Sequence, residues 1–335
     1  MKLALVILAT LALLPPPARA AEDTPSPATL RAAAQKALDL LEKTSPAFIQ
    51  KGGCNSCHAQ MLPAAAQAFA RSRGVQTSDA LAQLPPEVSE ATAERYVEYA
   101  IGGGGGIASL GFELFAASMA HHPADARILA KIYFIKGMQQ VEGYWRGGGS
   151  RPPLTFDDFT TTAYMIRALS TYAPSSESAD TADRIDRARR WLTNAKPERT
   201  QEHAFKVLGL SWAHADQAAI ARSVADLRQL QRADGGFGQL PAMETDAYAT
   251  SIALFALAEA GVSATDGAYG RGLKYLLSTQ AADGTWHVKT RALPIQPYFE
   301  SGYPYGRDQW ISAASAAYAT LAISAAVDAQ KDAAR

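Results

Sequence analysis

The sequence predicts an all-α chain whose helices pair into about six hairpins, a number that can close into one ring. Three observations predict it. No stretch alternates apolar and polar residues in the way a half-buried strand does. Apolar residues recur instead at helical spacing, in segments cut by Gly and Pro. A short phrase, Gln-x-x-acid-Gly-x-aromatic, then returns along the second half of the chain, as stacked units require.

Composition sets the outer bounds. A chain of 335 residues allows one large domain or two ordinary ones. A repeat running through most of its length favours one. Lys plus Arg and Asp plus Glu are equal at 32 each, so no net field selects nucleic acid or an acidic membrane surface.

Residues 1–20 read as a secretory signal, with Lys2 ahead of the apolar run Leu3 to Leu14 and an Ala18-Arg19-Ala20 cleavage site. That run is too short for a bilayer span, and no later stretch is expected to cross a membrane. The expected address is periplasmic or otherwise exported. Residues 21–29 read as a linker, and residues 30–330 as a single folded unit.

The first helix is expected from Leu30 to about Lys43, with Leu38, Leu40 and Leu41 on its apolar side. A second follows Met61 and is stopped by Gly74. Glu90 to Ile101 reads as a third, which the five glycines Gly102 to Gly106 break before Ile107 to Ala120 resumes. The glycine run is a slack loop or a place where a bulky group meets bare backbone.

From Asp125 onward the hairpins carry the repeated phrase, at Gln139–Trp145, Gln231–Phe237 and Gln280–Trp286, with one degenerate copy expected around Trp191–Glu198. Its acid-Gly pair makes a turn in which Gly takes the left-handed conformation. Its Gln amide can reach helix-end carbonyls, and its aromatic can pack across to the next unit. Ala-rich segments at 160–172, 203–214, 249–261 and 311–324 read as the inner helices.

These copies resemble the QW repeats of squalene-hopene cyclases and the related prenyltransferase and terpene-cyclase toroids. The resemblance runs from about residue 125 onward. It implies an (α/α)6 barrel, with outer helices ringing inner ones around an apolar central cavity. The chain is also similar to bacterial secreted proteins that join such repeats to an N-terminal CxxCH segment, a likeness carried mostly by Trp286 to Ala314. That group brings no secure activity with it. In class II terpene cyclases an Asp-x-Asp-Asp element protonates the substrate. Here the matching stretch is Thr155-Phe156-Asp157-Asp158, so the implied acids are Asp157 and Asp158, with Thr155 where the first acid would be. Read from the residues alone, Asp157 or Asp158 caps the helix that starts near Thr160.

Both cysteines of the chain lie in Lys51 to Met61, spaced Cys54-x-x-Cys57 and followed at once by His58. This is the attachment pattern of a c-type haem: two thiols for thioether bonds and an imidazole for the iron. A disulfide closing so short a loop is allowed in an oxidising compartment, but it stabilises little and leaves His58 unexplained. A zinc site needs a fourth ligand, usually with more Cys or His nearby. Spacing, histidine and export signal together point to one covalent haem c as the expected cofactor.

Met61 is too close in sequence to reach across a porphyrin from His58. His287 is the candidate for the sixth iron position, with Lys289 and Arg291 beside it to hold haem propionates or another anion; the alternative leaves that position open. The motif, the five glycines, Asp157-Asp158, Glu244-Thr245-Asp246 and the aromatic run Tyr298 to Tyr305 with Asp308 are expected on one rim. The expected activity is electron transfer or haem-dependent redox chemistry, with an unidentified redox partner and an apolar ligand in the central cavity. The alternatives are a terpene-cyclase-like isomerase or lyase using Asp157 and Asp158, and a non-catalytic ligand-binding toroid.

Overall fold

The computed structural model describes residues 25–52, 58–81, 106–148, 151–154, 157–294 and 297–332. Within them the helices are α1 (Pro27–Gly52), α2 (Met61–Arg71), α3 (Gly106–Met119), α4 (Ala126–Gly137), α5 (Asp158–Tyr172), α6 (Ser178–Asn194), α7 (Thr200–Trp212), α8 (Gln217–Gln229), α9 (Ala247–Glu259), α10 (Gly267–Thr279) and α11 (Gln309–Asp332). The inner helices α2, α3, α5, α7, α9 and α11 each pack on the next, and α11 packs back on α2, which closes the ring. Helices α1, α4, α6, α8 and α10 lie outside, each leading into the inner helix of its hairpin. The chain is an all-α toroid. The helix expected at Glu90–Ile101 and Gly102 to Gly105 fall outside the described residues.

Burial explains the two layers. Every residue of α9 from Ala247 to Leu257 is buried, so this helix is apolar on all sides, as an inner position demands. Outer α6 buries only Thr181, Ala188 and Leu192 and turns its many charges to water. Helix α11 departs from the expectation that no later stretch could cross a membrane. By length and composition Gly306–Val327 would suffice, but 89% of its apolar window is buried inside the ring. Helix α1 is longer than expected: it starts at Pro27, where Ser26 Oγ accepts from Thr29 N, and it continues through Pro46. Phe237–Gly238 and Thr245–Asp246 form a two-residue antiparallel ladder, too short to leave a sequence signal.

The repeated phrase joins neighbouring hairpins. Gln139, Gln231 and Gln280 each donate to the glycine carbonyl four residues on, at 2.8, 2.8 and 3.1 Å. The same amides donate to the next outer helix, at Arg184 O in α6 (2.9 Å), Ala268 O in α10 (2.7 Å) and Ala33 O in α1 (2.9 Å). The last of these ties the final hairpin to the first. Helix-end carbonyls, expected as partners of Gln, go instead to the indoles: Trp145 Nε1 donates to Ile135 O and Trp286 Nε1 to Leu276 O.

The glycines of the phrase are required twice over. Gly143, Gly235 and Gly284 have φ of +103°, +89° and +90°, and a Cβ on them would lie 2.5, 2.6 and 2.4 Å from backbone oxygens of Arg187, Arg271 and Lys36. Gly284→Ala should cost about 3 kcal/mol through left-handed strain and this clash, measured by urea unfolding. The degenerate copy has no such turn. Helix α6 ends at Asn194, and Lys206 Nζ in α7 takes the carbonyls of Thr193 and Ala195 instead.

The axis of the ring is filled. Tyr164 of α5 meets Tyr318 of α11 hydroxyl to hydroxyl at 2.6 Å, and Tyr248 of α9 packs edge-on to Tyr318. Phe112 and Phe115 of α3, with Phe205 and Trp212 of α7, surround Tyr164. Large rings from facing helices occupy the space that the resemblance assigned to an open apolar cavity. Among the described residues, Tyr164 and Tyr318 thus meet from helices that are not neighbours in the ring.

Candidate functional site

Two polar arrangements lie where inner helices begin. The first joins the starts of α5, α7 and α9. Asp157 caps α5, its carboxylate accepting from Thr160 N (2.7 Å) and Thr160 Oγ1 (2.9 Å). Gln201, buried in the first turn of α7, donates to Asp157 Oδ2 (2.8 Å), Thr160 Oγ1 (2.8 Å) and Pro153 O (2.7 Å). Its carbonyl accepts from the Tyr248 hydroxyl at 2.6 Å. Asp246 caps α9 and accepts from Gln239 Nε2, whose partner atom Oε1 accepts from Arg291 Nε at 2.8 Å.

These groups enclose a cavity of about 10 Å³, lined by Pro153, Asp157, Arg199, Gln201, Gln239, Tyr248 and Arg291 among others. That is room for about one water molecule. Burial pushes the Asp157 carboxyl up to about 6, against the pull of its bonds from Thr160 and Gln201. Burial also raises Asp246 above the usual carboxylate range, opposed by the Ala249 N–H. Asp158 does not face this cavity network in its hydrogen bonding; its carboxylate accepts from Gly147 N at 2.7 Å.

The second arrangement centres on His58, just before α2. The residue is 4% exposed, and its ring meets Trp310 (5.6 Å) and Phe112 (6.3 Å) edge to face. Its Nε2 is buried and has no hydrogen-bond partner among the described residues. Burial, reinforced by the charge of Arg151, holds the imidazole down to about 3, so it is neutral at physiological pH. Trp310 also walls a cleft of about 200 Å³ with Phe48, Arg151, Tyr298, Phe299 and Arg307. Cys54 and Cys57 lie outside the described residues.

Sequence comparison matches residues 200–297 to the squalene-hopene cyclase C-terminal domain. No curated protein matches the chain in sequence. Among solved structures, the apo type II terpene cyclase MstE from Scytonema is similar at TM-score 0.58 and 12% identity, over 91% of this chain and 100% of that one. A glycosidase variant is similar at TM-score 0.58 and 11% identity, over 90% of this chain and 98% of that one. A protein from Actinoplanes follows at TM-score 0.55 and 14% identity, over 89% of this chain and 99% of that one. The fold is that of the terpene-cyclase-like toroids. A cyclase and a glycosidase share it, so this toroid's chemistry must be argued from its own residues.

The residues expected to work together have different immediate neighbours. His58 shares its rim with the cleft through Trp310. His287 has different neighbours: its Nε2 pairs with Asp308 Oδ2 at 2.7 Å, and its ring stacks on Tyr305 at 4.5 Å. Lys289 is exposed, whereas Arg291 turns to Gln239 and the Asp157 cavity. Arg151, Arg307 and Phe48 carry no sequence signal, because they reach the cleft from three separate segments. Trp310 could have been suspected from its place in the aromatic stretch before α11.

Proposed function

We propose that this chain is an exported toroid bearing one covalent c-type haem on its rim, through Cys54 and Cys57 with His58 as iron ligand, and that its role is electron exchange. The observation that carries the reading is His58. A buried nitrogen left without a partner costs about 1–3 kcal/mol, which ligation would offset. A neutral imidazole presenting a free lone pair is what iron takes. The residues present fit such a group in chemistry, since His58 offers the nitrogen and Arg151 a nearby positive charge for acidic substituents.

When bound, haem supplies one-electron exchange. The chain's own part is to hold and shield. Phe112 and Trp310 fix the imidazole edge-on and exclude water from it, while Arg151 opposes its protonation. Asp308 engages His287 Nε2, so any ligation by His287 would use its Nδ1. The test is expression with a cytochrome c maturation system, followed by haem staining of a denaturing gel. The wild-type chain should stain, and Cys54→Ser with Cys57→Ser should not; an unstained wild-type chain rejects the reading.

A second reading, a terpene-cyclase-like isomerase or lyase, is favoured by one specific observation. Asp157 is a buried carboxyl raised to about 6, the direction a general acid needs. The squalene-hopene cyclase match and the likeness to MstE support it. Incubation with linear isoprenoids should then give cyclic products with the wild-type chain and none with Asp157→Asn.

A further inference from the structure

The rim cleft beside Trp310 has walls of which the haem reading uses only Trp310 and Arg151. Its walls are aromatic: Phe48 meets Phe299 edge to face at 5.3 Å, with Tyr298 and Trp310 beside them. Four large apolar residues among those described are exposed, and two of them, Leu293 (83%) and Tyr298 (47%), line this cleft. Exposed apolar surface gathered at one concavity marks a ligand or partner site.

Two guanidiniums flank these rings. Arg151 lies over Trp310 at 5.6 Å and Arg307 over Tyr298 at 5.7 Å. Neither makes a hydrogen bond or an ion pair among the described residues, whereas Arg184, Arg187, Arg189, Arg190 and Arg228 all do. Unpaired forks beside a flat apolar wall suit an acid attached to a flat apolar body. At about 200 Å³ the cleft has room for roughly seven waters at liquid density, or for a small ligand of about ten non-hydrogen atoms or a few more.

We infer that this cleft is a binding site for a small aromatic carboxylate, its ring packed on Trp310, Tyr298 and Phe299 and its acid held by Arg151 and Arg307. The inference shares Arg151 and Trp310 with the haem reading, while Arg307, Tyr298 and Phe299 belong to it alone; haem staining tests the one and the naphthoate preference the other.

Calorimetric titration of the full chain with 1-naphthoate and its uncharged counterpart 1-naphthamide tests it. Naphthoate should bind at least about tenfold tighter, as expected for a charge-assisted pair of bonds. Arg151→Gln and Arg307→Gln should each remove most of that preference, leaving naphthamide binding and the melting temperature unchanged. Rising salt should erode the preference in the unaltered chain, a readout that needs no variant. Equal affinity for the two probes, no naphthoate binding, or a preference insensitive to both substitutions and to salt overturns the inference.

Discussion

The Asp157 cavity and the Trp310 cleft occupy the same kind of place, at the starts of inner helices, and differ in how far their polar groups are satisfied. Around Asp157 each polar side chain described above has a partner, and about one water's worth of space remains. At the cleft two guanidiniums and the neighbouring His58 Nε2 are unpartnered among the described residues, and the space is some twenty times larger. Saturated polar groups hold three helix starts together. Unsatisfied ones remain available to something else. The contrast assigns structure to the first region and chemistry to the second.

Substitutions can break that contrast, beginning with the largest expected effect. Gln201→Ala would strip partners from Asp157, Pro153 O and the Tyr248 hydroxyl at once, and should lower unfolding stability by about 3 kcal/mol in urea. A loss below about 1 kcal/mol would mean that the cavity is not a structural clamp.

Asp157 sharpens the contrast through pH. Its folded value, about 6, lies above that of a free carboxylate, so ionising it burdens the folded state. The burden is absent below about pH 4 and complete above about pH 6. Asn also caps helices but does not ionise. The stability of Asp157→Asn relative to wild type should therefore rise by up to about 2 kcal/mol across that window and then level off, a figure reduced because the residue keeps some exposure. Melts from pH 4 to 8 check it, and a flat difference contradicts it.

Tyr248→Phe removes a single hydroxyl donor and should cost about 1 kcal/mol. Arg307→Gln, on the open side, should change stability by less than about 0.5 kcal/mol, because among the described residues it loses no hydrogen bond or ion pair, only an exposed contact with the Tyr298 ring. A larger loss there would show that Arg307 serves the fold.

What was legible in the sequence follows the same division. The ring could be read because Gln139, Gln231 and Gln280 repeat one local solution, a turn tied to the next outer helix, and local solutions leave local patterns. The cap by Asp157 was visible, but its partners were not. Gln201 lies 44 residues beyond it and Tyr248 another 47 beyond that, and no spacing rule links them. Arg151, Arg307 and Phe48 were invisible because their cleft exists only after the ring has closed. The filled axis was also hidden. Aromatic residues on inner helices read equally well as cavity walls or as packing, and only side-chain direction decides.

The central claim is that the rim carries haem, and a pyridine haemochrome spectrum tests it most directly. On mature chain made with a cytochrome c maturation system, the account predicts one covalent haem per chain, lost when Cys54 and Cys57 are replaced. A chain matured alongside an authentic c-type cytochrome and still lacking haem would contradict it.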